Sequence, residues 1–402
     1  MKNFIYIVLF YTLIFYLFYF DPLIVFGVKF ALVWKFLLLF IIGCYLILKK
    51  VKIELWISIF FLQAFQQFFN AEIFESFISN FSNAIKILVL PVFYLFFRYY
   101  FKNNEKRTIP ILILLSIFVI ISFIPFVFKM IEPLSIGYDL SKYGSDEFGL
   151  IGVFQNPPSA SIHLTFATII LFYFIRHKKK YDKLFYYIIM LIGIICTYYT
   201  YIRTGIFLFI IWGVLFSIKK NGIKSIISLI PLAIIIFITL NYLLDFDPVF
   251  KMRVNDTSIY NYSASENQYG SGRIYFIEEG FNIFSEVSLT EKVFGIGQTG
   301  LLQKMQEKIG LSIFTHNVFM DKLLSVGILG LLIFIYSWWL LYRKIMRDKN
   351  KNFNYFIVSI FITNLFRFSL QPDIYYYLLD VLFALLIVIN EKENLLLFYK
   401  NK

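Results

Sequence analysis

Apolar runs of about the length that crosses a bilayer, roughly 20 residues, follow one another along almost the whole chain. They fall near 4–20, 23–48, 53–69, 84–101, 109–129 and 158–175, then near 183–201, 203–218, 223–244, 317–342, 353–370 and 374–390. Hydrocarbon offers no partner to a backbone N–H or C=O, so each run must satisfy its own hydrogen bonds as a helix. The expected fold is an all-α polytopic membrane protein with about twelve transmembrane helices. Composition agrees, because 59% hydrophobic and 16% charged residues leave too little polar surface to clothe a water-soluble shell. The run at 23–48 contains Lys29 and Lys35 and fits either one tilted span or an interfacial piece followed by a span. Two full spans there would invert the sidedness of everything downstream, so one is expected.

The formal charge of +13 would suggest nucleic acid in a soluble protein, but here the cations lie in short loops between apolar runs, and topology accounts for them. One set of alternate loops carries Lys49–Lys52, Lys102–Arg107, Arg176–Lys183, Lys219-Lys220 with Lys224, Arg343–Lys351 and the Lys400–Lys402 tail. The other holds Asp21-Pro22, the 70–83 stretch with Glu72 and Glu75, Glu132–Asn156, the Tyr201–Gly205 turn, one long loop and Gln371-Pro372-Asp373. By the positive-inside rule both termini are cytoplasmic, and Arg203, Arg273 and His316 face outward from the cell (inner) membrane. The run at 4–20 follows Lys2 and precedes no small-residue cleavage site, so it is expected to be retained as a span. Cys44 and Cys196 both fall in apolar runs and suggest neither a disulfide nor a zinc site. No convincing repeat appears, so residues 1–402 are expected to form a single membrane domain with one outer elaboration.

That elaboration is the polar stretch at 245–316. Asp256–Gly272 is rich in turn residues, whereas Arg273–Phe284 and Leu301–Ile309 have helical apolar spacing, which predicts two short helices. The loop returns to the apolar region through Thr315-His316-Asn317. A lone histidine at a helix start is ordinarily a cap or a surface residue. At a membrane interface, an imidazole with a pKa near 6.5 can also take a proton from a sugar hydroxyl. Asn317 reads as the helix N-cap. Arg203 sits in a turn so short that its guanidinium must lie near the outer interface, where snorkelling to lipid phosphate is the plain alternative. Arg273 opens the first loop helix after Ser271-Gly272, where a solvated arginine would be ordinary. Two outward arginines suit a pyrophosphate, which guanidinium grips bidentately, and the grip would stabilise charge developing on a leaving group.

Arg367 is a third cationic candidate; a charge within a span is costly, and shallow depth with snorkelling is the simpler expectation. His163 follows Gln155-Asn156-Pro157-Pro158, a turn into a helix with proline in its first turn. It reads as a buried hydrogen-bonding histidine rather than a second base. Glu278 and Glu279 follow Arg273 and would tune it or remain solvated. The first outer loop offers only Asp21, and no His or carboxylate cluster has ligand spacing, so no metal and no cofactor are expected.

Taken in order, GVFQNPPSASIHL at 152–164, Arg203-Thr204-Gly205, Ser271-Gly272-Arg273, Gly295-Ile296-Gly297 and His316-Asn317 followed by Gly327-Ile328-Leu329-Gly330 resemble the O-antigen ligase and O-antigen polymerase superfamily over roughly residues 150–340. The order of two arginines and one histidine around a large outer loop is the most specific part. The resemblance implies a metal-independent membrane glycosyltransferase of GT-C kind with undecaprenyl-pyrophosphate-linked glycans as donor. On that carry-over His316 is the general base or acceptor-positioning group, and Arg203 and Arg273 hold the pyrophosphate. Polymerase and ligase differ in acceptor, a second lipid-linked glycan or lipid A core, and polymerase is the expected one. A flippase for the same lipids is the rival of a different class, but repeated halves and broken helices with midplane charges are little in evidence. Partners implied are lipid-linked donor and acceptor, membrane lipids and a chain-length regulator, with no nucleic acid.

Overall fold

The computed structural model describes residues 24–25, 28–69, 74–102, 107–124, 136–140, 145–150, 152, 154, 157–175, 180–222, 242, 273–347, 351–371 and 376–391. The expected spans at 4–20 and, apart from Tyr242, 223–244 lie outside these residues, as do 243–272 of the long loop.

In chain order the elements are β1 (Ile24–Val25), β2 (Val28–Lys29), α1 (Phe30–Leu48), α2 (Leu55–Gln66), α3 (Phe74–Tyr100) and α4 (Thr108–Ile121). Next come β3 (Ile136–Leu140), β4 (Ser145–Leu150), α5 (Pro157–Ile175), α6 (Lys180–Tyr199) and α7 (Arg203–Asn221). The last are α8 (Arg273–Glu286), α9 (Leu289–Phe294), α10 (Gly297–Ile309), α11 (Val318–Arg347), α12 (Lys351–Phe368) and α13 (Tyr377–Glu391). The structure is predominantly helical, as the apolar runs require. Two small antiparallel ribbons, β1 with β2 and β3 with β4, add to the helices a detail that span periodicity does not predict. The β3–β4 ribbon pairs Leu140 with Ser145 and Tyr138 with Glu147, inside the Glu132–Asn156 segment that the charge pattern assigns to a loop.

Among the described residues three stretches, Phe77–Tyr100, Pro157–Ile175 and Val318–Arg347, have the length and apolar composition to cross a membrane, as befits an integral membrane protein. Shorter apolar helices occupy Leu32–Leu48, Leu55–Gln66, Thr108–Ile121, Lys183–Tyr199, Arg203–Ile218 and Phe353–Phe368, each on an expected run.

The chain divides into two compact units assembled from separated stretches. The first comprises Met1–Leu112, Phe276–Asn350 and Phe368–Lys402, the second Ile113–Tyr275 and Lys351–Arg367. In the first unit α3 is the centre: α1, α2 and α13 all pack on it. Aromatic rings fill the seams, with Trp56 edge-on to Tyr94 at 4.9 Å and Trp34 edge-on to Tyr377 at 5.1 Å, the T-shaped geometry that ring quadrupoles favour. One end of this unit is closed by alternating charges. Glu54, at the N-cap of α2, pairs with Arg98 in the last turn of α3, and Lys344 in the last turn of α11 reaches Glu391 at the end of α13 at 2.7 Å. Arg98 also approaches Glu391 at 3.5 Å, and Lys344 approaches Glu54 at 3.6 Å. These four helix ends are the ones that the alternation of basic loops assigns to a single side. Residues 328–347 of α11, at about 1.5 Å per residue, are long enough to cross about 30 Å of hydrocarbon. His316 and Lys344 therefore belong to opposite ends of α11.

In the second unit α5 is buried nearly all round, as a helix at the centre of a bundle must be. It packs against α6 and α7, and Tyr173 stacks on Phe356 of α12 at 4.0 Å. Small residues permit close approach: a Cβ on Gly205 would collide with Ser161 and press on Thr165 and Thr197. Gly205 is thus the point at which α5, α6 and α7 cross, and the Thr165 hydroxyl donates to its carbonyl at 3.3 Å. This is the small-residue packing that brings membrane helices together where the hydrophobic effect supplies no drive between them.

Candidate functional site

The long loop re-enters its unit through a tightly specified turn. Asn317 caps α11 as expected: its Oδ1 accepts from Phe319 N at 3.0 Å and Met320 N at 3.1 Å, satisfying two of the first-turn N–H groups that a helix leaves unpaired. Asp321, one turn into the helix, reaches back to Thr315, whose backbone N–H and hydroxyl both donate to Asp321 Oδ1 at 2.8 Å. The Thr315 oxygen in turn accepts from Asn317 N at 3.3 Å. Between these anchors His316 adopts φ 58, a left-handed conformation that costs a non-glycine residue on the order of 1 kcal/mol. Such a conformation persists where neighbours over-determine it. The His316 ring is half-buried and lies over Phe276 of α8, with centroids 5.9 Å apart at 29°. A Cβ on Gly280 would crowd Met320 and Thr315, so the glycine lets α8 lie directly on the turn.

The glycine motifs of the sequence prove to be one device. Within α11 the chain breaks at Gly327, with φ 69 and ψ −175. A Cβ there would drive into the Val293 carbonyl, and one on Gly295 (φ 86) would drive into the Ser325 carbonyl. The two glycines thus allow the α9–α10 turn and the α11 break to meet backbone to backbone, and Ile296 N donates to Leu324 O at 2.9 Å across that contact. Gln66 of α2 donates to Val326 O at 3.3 Å, and Gly330 supplies the room, since a Cβ there would meet the Gln66 amide at 2.5 Å. A membrane helix tolerates a break where a neighbour satisfies the carbonyl it leaves unpaired.

Among its described residues the loop holds three helices where two were expected. α8 and α10 match the helical spacings, and α10 buries Leu301, Met305 and Ile309 along one stripe, worth about 1.5–3 kcal/mol per fully buried side chain. The short α9 was missed, although Ser288-Leu289-Thr290-Glu291 spells a capping box that the structure forms in full. The Ser288 side chain and then its backbone N–H hold the exposed Glu291 carboxyl below its usual range. Its contribution is present above the ordinary carboxylate pKa and fades as pH falls through the lowered value.

The second unit contains Arg203, His163 and Arg367. Arg203 is the exposed first residue of α7. It follows a turn built like that at His316, in which Tyr201 has φ 52 and the N–H of Ile202 donates to Thr200 Oγ1 at 3.3 Å. His163 is fully buried. Its Nδ1 lies 2.7 Å from Ser159 O in the same helix, and its ring stacks on Phe154 at 4.3 Å. Phe154 also stacks on Phe123 at 5.6 Å, and Gly152 makes room for that ring. The GVFQNPP segment therefore seats its helix through a three-ring stack. Arg367 corrects an expectation: instead of snorkelling from a shallow position it is 1% exposed, and its Nε donates to Asn364 Oδ1 at 2.8 Å. Packing of α12 encloses it, which hydropathy along a single helix does not reveal. Arg273 is the first residue of α8, three positions before Phe276; Ser271 and Gly272 lie outside the described residues.

His316 and Asn317 thus share one turn with Thr315 and Asp321, while Arg203, His163 and Arg367 belong to the other unit. Asp321 is the member that sequence reasoning passed over. An acidic residue just inside an apolar span was the available signal. Among the described residues no three His, Cys, Asp or Glu side chains gather as a metal site would require.

No curated protein matches the chain. A model of the family described as O-antigen ligase matches residues 188–335, from within α6 through the long loop and the His316 turn to α11. Over that stretch, somewhat more than a third of its length, the chain is similar to that family.

Proposed function

We propose that the protein polymerises undecaprenyl-pyrophosphate-linked oligosaccharide repeat units into O-antigen or capsular polysaccharide at the outer face of the cytoplasmic membrane. The observation that carries the reading is the His316 turn, which lies inside the family match and has both flanking residues pinned by hydrogen bonds. In this reading about twelve helices form a single GT-C-like membrane domain with the 245–316 loop outside and both termini in the cytoplasm. Meeting of the Glu54, Arg98, Lys344 and Glu391 helix ends on one side supports that topology.

The reaction is a single displacement needing neither metal nor cofactor. His316 takes the proton of an acceptor sugar hydroxyl, whose oxygen forms a bond to the anomeric carbon of the donor. The bond from that carbon to the pyrophosphate oxygen breaks with its electron pair, passing through an oxocarbenium-like transition state. Arg203 and Arg273 hold the departing lipid pyrophosphate and stabilise its charge, and the product has inverted configuration. The acceptor is a second lipid-linked repeat, and a chain-length regulator is an expected partner.

A ligase would take lipid A core as acceptor instead, and the family match is compatible with either acceptor. Deleting the gene separates the two. Loss of a polymerase leaves single repeats on the final carrier, the result expected here. Loss of a ligase strands long chains on the lipid carrier, which would transfer the assignment to the second reading. A flippase is the less favoured alternative, and its loss would leave unextended repeats on the inner leaflet.

A further inference from the structure

We propose that Asp321 is a positioning residue for His316, acting through Thr315. The inference rests on the reading that His316 carries the proton transfer, and it adds the part that fixes the imidazole. Asp321 is buried at 6% exposure, and the only hydrogen bonds it makes with its side chain among those described are the two from Thr315, both to Oδ1 at 2.8 Å. Its Oδ2 is buried without a hydrogen-bond partner among the described residues. Capping does not require it, because Asn317 already serves the first turn of α11. Thr315 is fully buried and directly precedes the left-handed His316. Hydrogen bonds from the Thr315 N–H and hydroxyl to a single oxygen fix its χ1, and the Oγ1 so placed accepts from Asn317 N at 3.3 Å, a link that spans the Thr315 ψ and the His316 backbone. The start of the His316 backbone is thereby set, as Asn317 sets its end. The imidazole is then presented from a backbone with both flanks held, over the Phe276 ring. General-base transfer needs the ring within hydrogen-bond reach of the hydroxyl, and a misplacement of about 1 Å can cost on the order of 10²-fold in rate.

The test uses the full-length protein in lipid, with a synthetic lipid-pyrophosphate-linked single repeat as substrate. Asp321→Ala is expected to lower kcat about 10- to 100-fold with the donor KM within about twofold. Asp321→Asn keeps an acceptor oxygen at the same place and is expected to retain most of kcat. If Asp321→Ala does not accumulate, Thr315→Val, with Thr315→Ser as its conservative counterpart, asks the same question from the donor side. A second readout does not depend on transfer: the rate at which diethyl pyrocarbonate modifies His316, located by peptide mass, is expected to change in Asp321→Ala and not in Asp321→Asn. Wild-type kcat and wild-type His316 reactivity in Asp321→Ala would overturn the proposal. So would an Asp321→Asn protein as impaired as Asp321→Ala, since the carboxylate charge and not the hold on Thr315 would then matter. Should His316→Asn retain full transfer while the reactivity change persists, the functional reading fails and the positioning stands.

Discussion

His316→Asn is expected to reach the membrane in normal amount and to lose polymer. Asparagine accepts left-handed backbone about as readily as histidine does, so the turn between Thr315 and Asn317 survives while the titratable group is gone. The ring contact surrendered with Phe276 is worth about 0.5–1.5 kcal/mol, too little to unfold a protein stable by about 5–15 kcal/mol. Losing a well-placed general base costs about 10²–10⁴ in rate, enough to leave little or no polymer on a gel of cell-surface glycan. His316→Ala adds the backbone cost and is expected to show the same loss. Polymer of normal length and amount from His316→Asn at normal protein level would remove His316 from the chemistry.

Gly327→Ala is expected to have the largest effect on folding. The position has φ 69 and ψ −175, a region open in practice only to glycine, which costs other residues about 1–3 kcal/mol. Its new methyl would also meet the backbone at Val293 and Gly295. Backbone cannot rotate aside as a side chain can, so overpacking adds about 1–3 kcal/mol more. The strain is relieved by separating α9 and α10 from α11, which would break the Ile296 N to Leu324 O bond. Protein level should fall, and the outer loop should become sensitive to protease added from outside. Gly300→Ala is the control: in α10 its Cβ meets only Ile296 at ordinary distances of 3.4 Å and beyond, and exchanging a helical glycine for alanine favours the helix by about 1 kcal/mol. Equal protein levels and equal protease resistance in the two variants would show that the glycine contact does not hold the loop.

Local chemistry was legible in the chain, and long-range contacts were not. Hydrophobic length placed the helices on the expected runs, and the Thr315-His316-Asn317 sequence announced its cap because a cap is made by residues within one turn. Gly295 and Gly327 stood out as motifs, but their mutual fit depends on a meeting of segments about thirty residues apart that no periodicity encodes. Gln66 and Asp321 are polar residues inside apolar runs, and they were passed over because hydropathy averages them away. The acidic partners Glu54 and Glu391 were likewise lost when only positive charges were weighed, yet they are the groups that draw Arg98 and Lys344 together. Arg367 shows the same limit from the other direction, since its burial is decided by neighbours and not by its depth along one helix.

The most direct measurement is to incubate the purified protein in lipid with a defined undecaprenyl-pyrophosphate-linked single repeat, with chelator present and no ion gradient, and to weigh the products. Masses rising by whole repeats, abolished by His316→Asn and strongly reduced by Arg203→Ala and Arg273→Ala, are the expected result. An unextended donor in the presence of active, folded protein, or extension that is indifferent to all three substitutions, would contradict glycosyl transfer by these residues.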